Sequence, residues 1–181
     1  MKLDDLHPLT GNCQNLADAW VAWRGDGLLP KRSDMRLEDI SGILPYVCLV
    51  DVISETEIIF RLAGTMMREI IGVELTGRNL LELTEPEYRA KRGARTMQNA
   101  TLPCGALWIW EIAFAGQESR RTENLSLPVK PDEPGRPMQM LNVFGLLEPA
   151  HLPPTMDHLQ QLAAANQHSF IDIGAGTPPD E

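Results

Sequence analysis

The spacing of apolar and polar residues changes period several times along the chain. Leu16, Ala19, Trp20 and Trp23 recur at i, i+3, i+4 and i+7, and so predict an amphipathic helix from Asn12 to about Arg24. Asn12 is its expected cap and Gly25-Asp26-Gly27 its stop. A stripe with two tryptophans needs a large covering surface. That surface is either the protein's own core or a dimer contact through Leu16, Trp20 and Trp23.

From Tyr46 the helical period is lost. Val47 to Ile53 and Glu57 to Leu62 are apolar runs of strand length, and Ser54-Glu55-Thr56 between them is short enough for a hairpin. Thr65 is the expected cap of a short helix carrying Met66, Met67, Ile70 and Ile71, closed by Gly72. Thr84 and Glu87 read as a capping box around Pro86, opening a longer helix to about Ala100. Its inner face would carry Ala90, Ala94, Met97 and Thr101, and its solvated face Lys91, Arg92, Arg95 and Gln98. Three strands follow, Ala106 to Ala115, Thr122 to Val129 and Met138 to Leu147; in the first, Trp108, Trp110, Ile112 and Phe114 share a face. The proline-rich loop Pro128 to Pro137 must be exposed. A short helix over Thr155 to Asn166 and a disordered tail from Gly174 to Glu181 complete the reading. It divides the chain into a helical extension (1–43), a core (44–149) and a C-terminal helix with tail (150–181).

The order of two strands, small helices, one longer helix and three strands resembles a PAS domain, an α+β fold. The segment Gly72-Val73-Glu74-Leu75-Thr76-Gly77-Arg78-Asn79-Leu80-Leu81-Glu82-Leu83, followed by Pro86, is similar to the small-helix region of that family. Trp23-Arg24, Leu29-Pro30, Arg32, Asp34, Leu44-Pro45, Leu49, Asp51 and Arg61 to Thr65 resemble a group of small, stand-alone PAS-like proteins common in alphaproteobacteria. The resemblance covers roughly residues 16 to 149. It implies a five-stranded antiparallel sheet with helices over one face and a ligand space between that face and the long helix. It also implies pairing into a homodimer through the first helix or the sheet, and action through a regulatory protein partner.

Composition limits what such a domain would bind. A net charge of -9 repels phosphate backbones and argues against nucleic acid. Charged residues at the amino terminus stand where a signal peptide would need an apolar run, so none is expected there, and the longest apolar stretch, Ile43 to Ile53, is too short for a membrane span. Three scattered cysteines, Cys13, Cys48 and Cys104, make neither a disulfide framework nor a metal motif, so a reducing cytoplasm is expected.

The chemistry known in PAS relatives can be sought residue by residue. Light-sensing relatives attack flavin with a cysteine in Gly-x-Asn-Cys-Arg; here Gly77-Arg78-Asn79 is followed by Leu80, which argues against an adduct. Haem asks for an axial ligand, most often histidine. His7, His151, His158 and His168 all lie outside the expected core, which argues against His-ligated haem and against a metal centre. Ligation by Met97 or Cys104 stays open.

No cofactor is therefore expected. Met66, Met67, Ile70, Leu80, Met97, Trp108 and Trp110 are the candidates to line a pocket for a small apolar ligand, or to fill that space as core. Glu111 and Asp51 interrupt apolar strands. Each could serve as the base of a small cone-shaped α+β enzyme, or pair with a neighbouring arginine. The reading is a sensory or regulatory module rather than an enzyme, with that enzyme and a purely structural dimerisation module as alternatives.

Overall fold

A computed structural model of the chain describes residues 2–113, 119–149 and 167–179. Among them, β1 (Val47–Ser54), β2 (Glu57–Ala63), β3 (Gly105–Ala113), β4 (Ser119–Val129), β5 (Met138–Pro149) and β6 (Gln167–Ile171) form one antiparallel sheet. Its order is β2-β1-β5-β4-β3-β6. The hairpin and the three later strands follow the alternation read from the sequence.

The sixth strand does not. Residues 167–171 were expected to lie beyond the fold, yet β6 pairs with β3, opposing Trp108 to His168 and Gly105 to Ile171. Phe170, Ile171 and Ile173 are buried, so this stretch is held by its own apolar side chains. The N–H groups of Gly174 and Gly176 both donate to Asp172 Oδ1 at 2.8 Å, which gives the first part of the expected disordered tail a defined turn. The helix expected over Thr155 to Asn166 lies outside the described residues.

Alternation along the strands divides the interior in two. On one side, α1 (Gly11–Arg24) packs its stripe against Leu125, Leu127, Leu141 and Val143 of β4 and β5. On the other, α2 (Thr65–Ile71) and α3 (Arg89–Thr101) cover Val50, Phe60, Trp108, Trp110 and Met140.

The α1 side corrects the dimer reading. Leu16 and Trp20 are fully buried and Trp23 nearly so, all within this chain. Trp20 Nε1 donates to Pro128 O at 2.9 Å and Trp23 Nε1 to Asp39 Oδ2 at 2.8 Å, so both indoles have spent their polar tips internally. These three residues offer no surface to a second copy.

The helix caps also move. Thr10 rather than Asn12 caps α1, its Oγ accepting from Cys13 N at 3.4 Å, while Asn12 Nδ2 donates to Phe144 O. The carboxylate of Glu123, fully buried on β4, accepts from Leu9 N (2.8 Å), Thr10 N (2.9 Å) and Thr10 Oγ (2.7 Å). It fastens the start of α1 to the sheet. Gly64, not Thr65, precedes α2, and left-handed Gly72 closes it. The expected capping box at Thr84 does not form. Pro86–Tyr88 make a single 3-10 turn, and α3 begins only at Arg89.

Gly93 sets how closely α3 lies on the sheet. A Cβ at this position would run into the carbonyl oxygen of Glu55 in the β1–β2 turn. Glycine therefore lets the helix backbone rest directly on the hairpin. No described helix is long and apolar enough to cross a membrane.

Candidate functional site

Between α2, α3 and the inner sheet face lies a partly enclosed cavity of about 50 Å³. Most of its wall is apolar, with Val50, Phe60, Met67, Ile71, Met140 and Phe144 among the lining side chains. Of the expected pocket residues, Met67, Leu80, Trp108 and Trp110 line it. Met66 and Met97 are half-buried and do not; Met97 packs instead against the core on this side of the sheet. Ile70 stands in α2, but its side chain lies outside the description.

The polar part of the wall was not foreseen. Arg92, Thr96 and Asn99 follow at i, i+4 and i+7 on α3 and are buried facing Asn124, Ser126 and Asn142 of β4 and β5. The face of α3 assigned to solvent thus contributes Arg92 to the interior, at 5% exposure. A polar residue at a helical interval reads as solvated unless the facing element is known. The one available signal was that Thr96 and Asn99, poor helix formers, continue the Arg92 stripe.

Arg92 is the formal charge in this wall. Its guanidinium carbon lies 4.5 Å from the centroid of the Trp110 ring, and Nη1 donates to Thr84 Oγ at 3.0 Å. Thr84 Oγ in turn donates to Leu80 O at 3.0 Å, joining Arg92 to the turn that follows α2. Burial pushes the Arg92 pKa down to about 10, which leaves it cationic at neutral pH. Trp110 is 5% exposed, and its Nε1 has no hydrogen-bond partner among the described residues.

The two amides on the sheet are tethered to backbone. Asn124 Nδ2 donates to Val143 O and Asn142 Nδ2 to Met140 O, both at 3.0 Å. Cys48 also lines the cavity, and burial pushes its thiol up to about 12, so it is neutral and a poor nucleophile. His168, expected outside the core, stands behind this wall. Its ring lies 4.0 Å from that of Trp108 and edge-on to Phe170 at 4.5 Å.

Of the two carboxylates raised as possible bases, that of Asp51 lies apart from this chemistry. Asp51 is buried on the opposite side of the sheet, accepting from Arg61 Nε at 2.6 Å and Gln139 Nε2 at 2.7 Å. Pairing with a neighbouring arginine is the arrangement found. Glu111 stands opposite Arg121 in the β3–β4 register, and its side chain lies outside the described residues. Among the described residues, no three His, Cys, Asp or Glu side chains gather as a metal site.

The geometry can be set beside known proteins. No curated protein matches the chain. The solved structures it resembles include the LOV protein of Rhodobacter sphaeroides, at 19% identity over 61% of this chain and 66% of that one, TM-score 0.44. They include the PAS domain of Bordetella pertussis BvgS, at 15% identity over 64% and 85%, TM-score 0.48. A third is the Vibrio cholerae VqmA dimer solved without its target DNA, at 17% identity over 62% and 53%, TM-score 0.47. The chain spans less than two thirds of the LOV and VqmA chains. The family model described as PAS domain matches residues 10–147, from the threonine that caps α1 to near the end of β5, and the chain belongs to that family.

Proposed function

We propose that this chain is a sensory or regulatory PAS module whose cavity between α2, α3 and the sheet receives a small ligand. The observation that carries this reading is a mainly apolar cavity lined by Trp110, whose Nε1 is buried without a partner among the described residues, and by the buried Arg92 over its ring. An apolar side chain would fill such a space without the cost of desolvating a guanidinium, so a polar patch in this wall suits a ligand site better than a packed core. The signal passes by protein contacts, to a regulatory partner and within a homodimer formed through surfaces other than the α1 stripe.

The proposed ligand is not flavin or haem. Leu80 lines the cavity where an adduct-forming relative has cysteine, and about 50 Å³ is far below the volume of either group. The sensor reading is preferred to an enzyme because Asp51 is engaged by Arg61 and Gln139 across the sheet from the cavity. A cytoplasmic setting accords with three buried free thiols.

The test uses protein carrying ¹³C-methyl methionine. Met67 and Met140 line the cavity, whereas Met35 packs in the other core and serves as control. Saturable shifts of the first two methyls with a panel of molecules of up to about six heavy atoms are expected. A panel that moves neither, together with xenon that fails to enter, overturns the proposal. Stoichiometric flavin or haem in natively purified protein overturns the cofactor-free part.

A further inference from the structure

Across the sheet from the inner cavity, an open cleft of about 430 Å³ lies between the β1–β2 hairpin and the β4–β5 loop. We infer that this cleft is a second ligand site, independent of the inner one, for a small zwitterion of the free amino acid type, its carboxylate held by Arg61 and its ammonium group by Asp132. Volume allows it, since small-molecule sites measure roughly 300–1,000 Å³.

The carboxylate follows from how Arg61 is set. Leu49 and Val50 are consecutive in β1 but oppose Leu62 and Phe60 in β2, so Arg61 is the extra residue of a β-bulge. Both Arg61 and Leu62 consequently line the cleft, where a regular strand would turn one of them to the other face. Asp51 accepts from Arg61 Nε at 2.6 Å and is itself fixed by Gln139 Nε2 at 2.7 Å. The guanidinium is thus held by one nitrogen, and its two Nη atoms have no partner among the described residues. The Arg61 side chain is 51% exposed and that of Asp51 6%, so the pair is anchored in the sheet and open to the cleft. Two terminal nitrogens on a fixed guanidinium match the two oxygens of a carboxylate, and fixing them beforehand lowers the cost of ordering on binding.

The opposite charge follows from the rest of the wall. Arg32, Arg61 and Arg136 share it with Asp51, Asp132 and Glu133, so the formal charges cancel. A plain anion would be opposed by the two loop carboxylates and a plain cation by three guanidinium groups, whereas a ligand carrying both signs is matched to the wall. Asp132 Oδ1 accepts from Ser33 N at 3.0 Å and Ser33 Oγ at 2.7 Å, and Oδ2 has no partner among the described residues. Glu133 pairs with Arg136 at 3.0 Å, but both are strongly exposed, and a pair of that kind contributes little and yields readily. Leu49, Leu62 and Pro137 give the cleft an apolar part that a hydrocarbon side chain of the ligand would cover.

The experiment titrates the full chain, labelled at methionine methyls, with leucine and phenylalanine by calorimetry and methyl spectra. Leucine is compared with 4-methylpentanoate, which lacks the ammonium group, and with 3-methylbutylamine, which lacks the carboxylate. At least one of the two amino acids is expected to bind saturably, and leucine at least tenfold more tightly than either of its analogues. Met35, whose Sδ lies 3.4 Å from Arg32 Nη1, is expected to shift while Met67 and Met140 of the inner cavity stay unmoved. Arg61→Lys keeps the charge beside Asp51 and removes the fork, and is expected to weaken leucine at least fivefold. Asp132→Asn keeps an acceptor for Ser33 and is expected to bring leucine down to the affinity of 4-methylpentanoate. Equal affinity for leucine and 4-methylpentanoate, or unchanged leucine affinity in either variant, overturns the zwitterion assignment. No heat and no Met35 shift with either amino acid at millimolar concentration, or shifts confined to Met67 and Met140, overturn the site itself, and neither result bears on whether smaller molecules enter the inner cavity.

Discussion

The Arg92 guanidinium carbon lies over the Trp110 ring, 4.5 Å from its centroid, and Nη1 reaches Thr84 Oγ at 3.0 Å, so one side chain of α3 ties the helix to β3 and to the turn before it. Arg92→Ala removes a desolvated cation–π contact worth about 2 kcal/mol and opens space behind it. A loss of about 2–3 kcal/mol in chemical denaturation is expected. Arg92→Met fills the volume without a charge to desolvate and is expected to recover most of that loss. Equal destabilisation by both variants would show that the charge, not the packing, holds this corner.

Helix propensity alone favours Gly93→Ala by about 1 kcal/mol. Contact with the Glu55 carbonyl opposes it, because that oxygen belongs to a hairpin backbone that cannot swing aside. The expected outcome is net destabilisation of about 1–3 kcal/mol, read as a lower thermal midpoint. Gly72→Ala would not separate the effects, since its left-handed φ of 85° penalises any side chain.

Glu123→Ala leaves Leu9 N, Thr10 N and Thr10 Oγ without their acceptor in a partly buried setting. About 3 kcal/mol of stability should be lost, and the amides of Leu9 and Thr10 should exchange far faster with solvent. Met67 and Met140 shifts should hold, because the damage lies on the other side of the sheet. Hydrogen exchange and methyl spectra on one sample check both halves.

Much of this architecture was legible and some was not, for identifiable reasons. The β1–β2 hairpin and the Trp108–Trp110 face follow from alternation, a local property. The stripe of Leu16, Trp20 and Trp23 was equally plain, but a stripe does not say whether the surface that buries it belongs to the same chain. Arg92 was misread because its burial depends on Trp110 and Thr84, neither of which is near it in helical spacing. Gln167 to Ile171 carries only Phe170 and Ile171 as strong apolar residues and becomes a strand through the open edge of β3, which sequence alone does not display.

Burial raises the thiols of Cys13 and Cys48 from 9.0 to about 12. Their neutral form is therefore favoured in the folded protein, and the unfolded chain gives up its thiol protons first as pH rises. The stability they contribute is fully present below about pH 9 and lost between there and about 12. Denaturation midpoints should fall more steeply from pH 8 to 10 in the parent than in Cys13→Ala/Cys48→Ala. The same thiols should stay unreactive toward aromatic disulfide reagents at pH 8 until the protein unfolds.

Glu123 and Asn124 are neighbours in β4, and their side chains point to opposite sides of the sheet: one grips the start of α1, the other lines the cavity. A single peptide unit is thus the whole distance between the two compartments. The strand that carries the Asn124 amide to Val143 O is the same one that carries the Glu123 carboxylate to Thr10. The sheet acts as a thin diaphragm, and the first helix rests on its far surface.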